Sequence, residues 1–595
     1  MINYPKGKLV YIYLEGFANF KPFSINFSNE FEFEIKGDII KIKRYKDHFK
    51  DILGENILSL NIIAGENGVG KSTLLKVIAE LIADRDTYEP RYGFNFFLVF
   101  QLDNETFYIK SPDGHSGPFP FGIREHQLYS FQFGQTSKDF GRTIIYYSPY
   151  LDFNRLDIYG SRDGYPILDL SNTQILIDDL EENPKDEPKD VELEEDPIVR
   201  HRVNNVRRQL KLFNETGSFF NFPFELPKRL SVTFHRLNFD RSDVSILDRN
   251  FFDDMQDRCS AFFREFPENK LSKSNMAKIM FLRNLLSMFF ISVNLNKSQS
   301  ILQHRFSDEI IKRAEELSRK DPEDLVDFIL YFFQKQDIFQ TEIFQKLIEY
   351  TFSAIKSNNI RFSNSNHNVT VLIDNEDQVI GGYFALLEAK VSMRSQDRYI
   401  TPNLSHFISF DWHNFSSGEK MFTDLFSRIY GVKEKFDKIK QPILLLIDEG
   451  EMGFHPKWQI KFISTLRTFI NEFFYGQDLE IILATHSPLV LSDFPSRRVH
   501  LFKKPKRGKS VKMPSIGTLA QNTSELLAHE FFIDTTLVGD VAREYINGII
   551  TDIRAIKTER VSTIQTTDIA RRIELIDEPI IKNILRDELE RTFNA

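Results

Sequence analysis

Asn61-Ile-Ile-Ala-Gly-Glu-Asn-Gly-Val-Gly-Lys-Ser-Thr73 fits the pattern G-x-x-x-x-G-K-[ST] through Gly65, Gly70, Lys71 and Ser72. Glycines at that spacing let a backbone curl so that successive N–H groups point inward at an anion. A helix that starts there adds its positive end. The chemistry is nucleotide binding: Asn67, Gly68, Gly70, Lys71, Ser72 and Thr73 would line the phosphates, Lys71 reaching the β/γ groups and Ser72 holding Mg²⁺. Ile443-Leu-Leu-Leu-Ile-Asp-Glu449 is an apolar run ending in two carboxylates. Asp448 can hold Mg²⁺, directly or through water, and Glu449 can polarise a water in line with the γ-phosphate. His486, in Ala484-Thr-His-Ser-Pro488, also follows an apolar run that reads as a buried strand. Asn414-Phe-Ser-Ser-Gly-Glu-Lys420 puts Ser416, Ser417 and Gly418 ahead of a helical pattern. It reads either as a second anion site or as an ordinary N-cap box, Ser416 with Glu419.

These residues need strands and helices to hold them. Ile57 to Ala64 and Leu479 to Thr485 read as buried strands, and Leu74 to Ile78 as the helix after the loop. Continuous apolar runs alternating with helices predict a parallel sheet covered on both faces. Upstream, Leu9–Tyr13, Phe23–Phe27 and Phe31–Ile35 alternate with period two, which predicts an antiparallel sheet. Asp178 to Pro197 is acidic and carries prolines, the composition of a solvated loop. From about 198 to 360 the apolar spacing is helical, with no sustained heptads, so a long coiled-coil arm is not expected.

The predicted class is therefore α/β: a mostly parallel sheet flanked by helices, an N-terminal antiparallel sheet and a large helical insertion. The division runs 1–175 (first lobe, with the loop), 176–400 (acidic loop and helical insertion), 401–500 (second lobe) and 501–595 (basic loop and helices).

The chain has 595 residues and a formal net charge of -9, so any nucleic-acid surface has to be local. Arg497 to Lys512 is such a run, lacking acids; it reads equally as a phosphate-backbone contact or a solvated hairpin loop. One cysteine, Cys259, excludes a disulfide framework and a cysteine-based zinc site. That and the lack of a signal-like N-terminus predict a cytoplasmic protein that does not span a membrane. The 58 Phe are assigned to packing.

Taken in order, the motifs resemble those of ABC-type ATPases of the SMC, RecF and OLD group, over about 1 to 170 and 400 to 500. The resemblance makes Phe415, Ser416, Ser417, Gly418 and Glu419 the signature that caps ATP held by a partner subunit, and His486 the switch histidine. It implies ATP and Mg²⁺ as ligands, Glu449 and His486 as the catalytic pair, and a homodimer or higher homo-oligomer closed around the nucleotide. Gly450-Glu-Met-Gly-Phe-His-Pro456 is close to the group's Asp-Glu-Pro-Glu-x-x-x-His-Pro variant, with Gly450 in place of proline. Glu451 and His455 then form either a dimer-facing loop or part of the turn. Gln101 and Gln132 are the candidates for the group's Q-loop glutamine. The tail after His486 lacks the Asp-x-Asp pair of a Toprim nuclease. Instead Gly517 to Phe532 is similar to the matching segment of PtuA-type subunits of Septu and retron anti-phage systems. That similarity implies a separate HNH nuclease (PtuB-like) and, in retrons, a reverse transcriptase with its RNA–DNA. A DNA-repair ATPase of the RecF/SMC kind, binding DNA itself, is the alternative.

Overall fold

The computed structural model describes residues 7–17, 20–28, 30–36, 39–44, 53–83, 95–111, 130–134, 142–152, 167–181, 197–216, 220–234, 272–294, 326–327, 329–330, 341–355, 360–362, 369–374, 393–395, 398–400, 408–433, 442–504, 508–514, 517–523, 526, 539–558 and 563–594. The chain begins with β1 (Lys8–Glu15), β2 (Phe23–Asn26), the hairpin β3 (Phe31–Lys36) and β4 (Ile39–Arg44), then β5 (Ile57–Gly65) and α1 (Lys71–Ala83). Next come β6 (Asn95–Gln101), β7 (Thr106–Lys110), β8 (Ser130–Gly134), β9 (Thr143–Tyr147), β10 (Ile167–Asp169), α2 (Asn172–Glu181) and α3 (Pro197–Thr216). The insertion holds β11 (Arg229–Phe234), α4 (Lys273–Asn294), α5 (Thr341–Ala354), β12 (Ile360–Phe362), β13 (Val369–Asp374) and the small pair β14 (Met393–Ser395) and β15 (Arg398–Ile400). The chain closes with β16 (Ile408–Trp412), α6 (Ser417–Gly431), β17 (Ile443–Asp448), α7 (Pro456–Phe473), β18 (Leu479–Thr485), α8 (Pro488–Leu491), β19 (Val499–Lys503), β20 (Val511–Met513), α9 (Asp540–Thr558), α10 (Thr563–Glu574) and α11 (Pro579–Asn594).

A seven-stranded sheet in the order β10-β9-β17-β18-β5-β19-β20 forms the centre, parallel throughout except for β20. Its strands are apolar on both faces, as a two-sided parallel sheet requires. Ile62, Leu445, Ile447, Ile481 and Leu483 face one way, onto Phe422, Phe426, Phe462 and Leu466 of α6 and α7. Ile63, Leu444, Leu446 and Ile482 face the other way, onto Leu74, Leu75 and Ile78 of α1. The same cluster includes Ile12, Ile25, Leu98 and Phe100 of the second sheet, β2-β1-β6-β7-β8, which is antiparallel except for the β7–β8 pair. The expected architecture is present.

Two expectations change in detail. Phe31–Ile35 does not extend the antiparallel sheet. It forms the β3–β4 hairpin, and Phe31, Phe33 and Ile42 cover that sheet's outer face at Tyr11, Phe97 and Phe107. The alternation was right; the strand's partner was not readable from it. The insertion is also not purely helical. β11, β12 and β13 form an antiparallel sheet, β12-β13-β11-β16, whose last strand leads into the Asn414 motif. Residues 308–318 of the region expected to be helical lie outside the described residues, as do 182–196 of the acidic run expected as a loop; Asp178–Glu181 belong to α2 and Pro197 opens α3. The divisions drawn at 175 and 500 fall inside α2 and β19, and β19 pairs with β5 in the central sheet.

A buried carboxylate, Glu480 of β18, ties the two sheets by accepting from β1 while it is paired with Arg142 beside β9 of its own sheet. Arg142 and Glu480 are each 2% exposed and in direct contact, and Glu480 Oε1 also accepts from the Leu9 N–H at 2.7 Å. α9, α10 and α11 share a core of their own around Ile549, Ile553, Ile573 and Leu585. Among the described residues no helix is long and apolar enough to cross a membrane.

Candidate nucleotide site

Strand register builds the site. Asp448 lies opposite Ala484, Thr485 opposite Ala64, and Ile447 opposite Tyr147, so four parallel strands end nearly level. The loops leaving them carry Lys71, Glu449, His486 and Tyr150 to one edge, the carboxyl edge at which open α/β sheets bind ligands.

The loop after β5 depends on Gly65, whose φ is +146°. A Cβ there would lie 2.1 Å from the Phe502 carbonyl oxygen of β19, so only glycine lets that strand pass. Asn67, Gly68 and Thr73 are exposed, Gly70 and Ser72 half-buried, and the Leu74 N–H bonds to Gly70 O at 2.9 Å as α1 begins. Lys71 is buried, with Nζ donating to Gly65 O at 3.3 Å and Glu66 O at 3.2 Å. Burial lowers its ammonium to about 8, against the opposing pull of Glu449, Asp448 and Glu451. Nζ also meets His486 Nε2, and that same nitrogen is 2.8 Å from Glu449 Oε1. One ring nitrogen cannot accept from Lys71 and donate to Glu449 at once, so the two contacts compete.

Asp448 is buried, and its carboxyl is raised by that burial, offset by the Ser72 and Tyr146 hydroxyls. Its Oδ1 has no hydrogen-bond partner, while Oδ2 accepts from Tyr146 at 3.2 Å. An orphaned buried carboxylate oxygen beside a serine hydroxyl fits a hard divalent cation, and Mg²⁺ completes its shell with phosphate and water. Among the described residues no group of three His, Cys, Asp or Glu is placed to hold a metal ion. The donor set therefore suits a metal brought with the nucleotide, not an all-protein cage.

Glu449 takes φ 51°, a conformation that costs a non-glycine residue energy and persists only where surroundings enforce it. Glycine at 450 frees Glu449 from the crowding a following proline imposes, and a Cβ at 450 would meet Ile447 Cγ2 at 2.4 Å. Burial raises the Glu449 carboxyl, but His486 and Tyr150 more than offset it and hold it below the usual carboxylate value.

The neighbouring turn separates its two candidates. His455 is exposed and caps α7, accepting from the Lys457 N–H at 3.2 Å. Glu451 is buried against the Thr485 hydroxyl, so the turn reading holds for it, and burial pushes its carboxyl up to about 7. A carboxyl raised in the folded state adds stability that is complete below pH 4.5 and is lost as pH rises through 7. Glu451→Gln is therefore expected to flatten the fall in thermal stability between pH 5 and 8, recovering up to about 3 kcal/mol at the alkaline end. Melting curves of both proteins across that range check it.

The Asn414 motif does form a capping box. Ser416 N–H donates to Glu419 Oε2 at 2.7 Å, and Glu419 N–H to Ser416 Oγ at 3.3 Å. Ser416 and Ser417 stay exposed. Gly418 packs onto the turn after β17, where a Cβ would lie 2.7 Å from Gly453 O. A cap box and an anion site are compatible, because the Ser416 hydroxyl accepts through oxygen and keeps its hydrogen to donate. Gln101 and Gln132 belong to the antiparallel sheet, Gln101 buried and Gln132 exposed. The strand beside β17 leads instead to Tyr150, whose hydroxyl donates to Glu449 Oε2. Tyr150 belongs to no motif in the sequence; the one signal is the Pro149–Tyr150 pair one residue beyond the apolar run Thr143–Tyr147.

In the basic run, Arg498 is buried with Nη1 on Phe27 O, His500 is buried, and Lys512 donates to Ser24 O at 2.6 Å. Those three serve packing, and residues 505–507 lie outside the described residues. Gly517–Phe532 is described only in part.

Fold and site define an α/β protein with a glycine-rich G-x-x-x-x-G-K-S loop at the carboxyl edge of its parallel sheet. No protein-family profile matches the chain. The retron Vc95 probable ATPase of Vibrio cholerae serotype O1 biovar El Tor is 29% identical over 124 residues, covering 19% of this chain and 22% of that protein. Protein ea59 of Escherichia phage lambda is 25% identical over 111 residues, covering 19% and 20%. The chain thus spans about a fifth of the length of these curated relatives. Among solved structures, RecF bound to ATP in the RecFOR pathway aligns over 86% of this chain and 99% of that one, at 12% identity and a TM-score of 0.22. A second RecF structure of that pathway aligns over 85% and 98%, at 10% identity and a TM-score of 0.21.

Proposed function

We propose that the chain is an ABC-type ATPase that binds ATP with Mg²⁺, hydrolyses it in a homodimer, and regulates a separate nuclease in an anti-phage defence complex. The convergence of Lys71, Asp448, Glu449 and His486 on one sheet edge supports the ATPase reading. Ser72 and Asp448 would hold Mg²⁺, which neutralises charge building on the β- and γ-phosphates. Lys71 leaves His486 for the incoming phosphate, and His486 Nε2 is then free to donate to Glu449 or to the γ-phosphate. Glu449, ionised and held, accepts the proton of the attacking water. The exposed Ser416 and Ser417 and the half-buried Gly418, with Glu419 bracing the cap, would offer the start of α6 to ATP held by the other copy.

The sandwich has a direct test. Lys71→Ala and Ser416→Arg chains are each expected to be inactive alone. An equal mixture should recover about a quarter of wild-type turnover, since half the dimers are mixed and each carries one intact site of two. No recovery on mixing would sink the shared site.

The defence role rests on the retron ATPase relative and on the similarity of Gly517–Phe532 to PtuA-type subunits. It implies an HNH nuclease partner and, in a retron, a reverse transcriptase with its RNA–DNA. Co-purification from the native host tests it: a bound nuclease supports the role, whereas DNA recovered with no protein partner favours a repair ATPase.

A further inference from the structure

We infer that Tyr150 is a positioning residue for Glu449, held in place by a braced loop; this rests on the ATPase reading above. The hydroxyl donates to Glu449 Oε2 while His486, for which Lys71 competes, lies against Oε1, so Tyr150 is the donor that holds the carboxylate whichever partner His486 takes. The ring is 41% exposed, which places it at the mouth of the site and not in the core.

The segment carrying it is fastened on both sides. Before Tyr150, the Asn172 N–H bonds to Ser148 O at 3.0 Å, and the Asn172 side chain reaches Pro149 O. After it, the Asp152 N–H bonds to Thr173 Oγ1 at 2.7 Å, and that hydroxyl donates back to Asp152 O at 3.1 Å. Lys76 of α1 binds Asp152 Oδ2 at 2.6 Å. The loop is thus stapled to the first residues of α2 and to the helix that follows the phosphate loop. A catalytic carboxylate works only near its productive geometry, and a second donor on a rigid support supplies that constraint. Glu449 has particular need of it, because its backbone already sits at φ 51°.

The test is steady-state kinetics of Tyr150→Phe, which removes one oxygen and keeps the ring. Loss of one charge-assisted hydrogen bond predicts kcat lower by about tenfold or more. KM and the melting temperature should stay unchanged, a split that a merely structural role would not give. Thr173→Val should lower kcat in the same direction, and the double variant should be no worse than Tyr150→Phe alone, because both act through one contact. Wild-type kcat in Tyr150→Phe, or a raised KM with kcat intact, would overturn the inference while leaving the ATPase reading standing. No turnover in the unaltered chain would overturn both.

Discussion

The Glu449→Gln chain is expected to bind ATP, dimerise and stay dimeric, with turnover reduced by about two to four orders of magnitude. Glutamine keeps the shape of the side chain and can still meet Tyr150 and His486. It cannot take a proton from water. Since Lys71, Ser72 and Asp448 are untouched, nucleotide affinity should change little, so the loss falls on kcat. With hydrolysis blocked, the two copies have no route to separate other than ATP dissociation. Size measurement with and without ATP, alongside phosphate release, reads both consequences. Turnover near that of the wild type would remove Glu449 from the role of base.

Lys71→Ala is expected to abolish measurable nucleotide binding. The ammonium is buried and in direct contact with the loop's own carbonyls, and burial has already weakened its hold on a proton. An incoming phosphate restores the charge balance that burial disturbed, and alanine offers nothing in its place. A charged, partly desolvated contact of this kind is worth several kcal/mol, and each 1.4 kcal/mol is about tenfold in affinity. Titration with a fluorescent ATP analogue should show at least a hundredfold weaker binding, with the melting temperature of the free protein lowered little or raised.

Much of this site was legible because each part of it is local. A phosphate loop, an apolar strand ending in Asp448-Glu449 and a strand ending in His486 are each encoded within a dozen residues. Their register on one sheet edge then follows from parallel pairing. What stayed hidden depends on which element lies beside which. Tyr150 gains its meaning from β9 being the neighbour of β17. Glu451 and His455, four residues apart, diverge because one faces the core at Thr485 and the other caps a helix. Arg498 and Lys512 look like surface cations in a charge run until β19 and β20 dock on the central sheet. The helical signal of the insertion concealed three short strands whose partner, β16, lies outside it.

The strand order has a consequence for how the protein is made. β5 lies between β18 and β19, and Lys71 is separated from His486 by 415 positions of sequence. A ribosome adding 5–20 residues per second needs roughly 20 to 80 s to cross that gap. For all that time the phosphate-loop strand has neither neighbour, and two apolar edges wait for partners. Until β18 is synthesised, the chain carries the loop without the strand that seats His486. Any product cut short ahead of it has Lys71 and lacks the side chain that Lys71 meets in the finished fold.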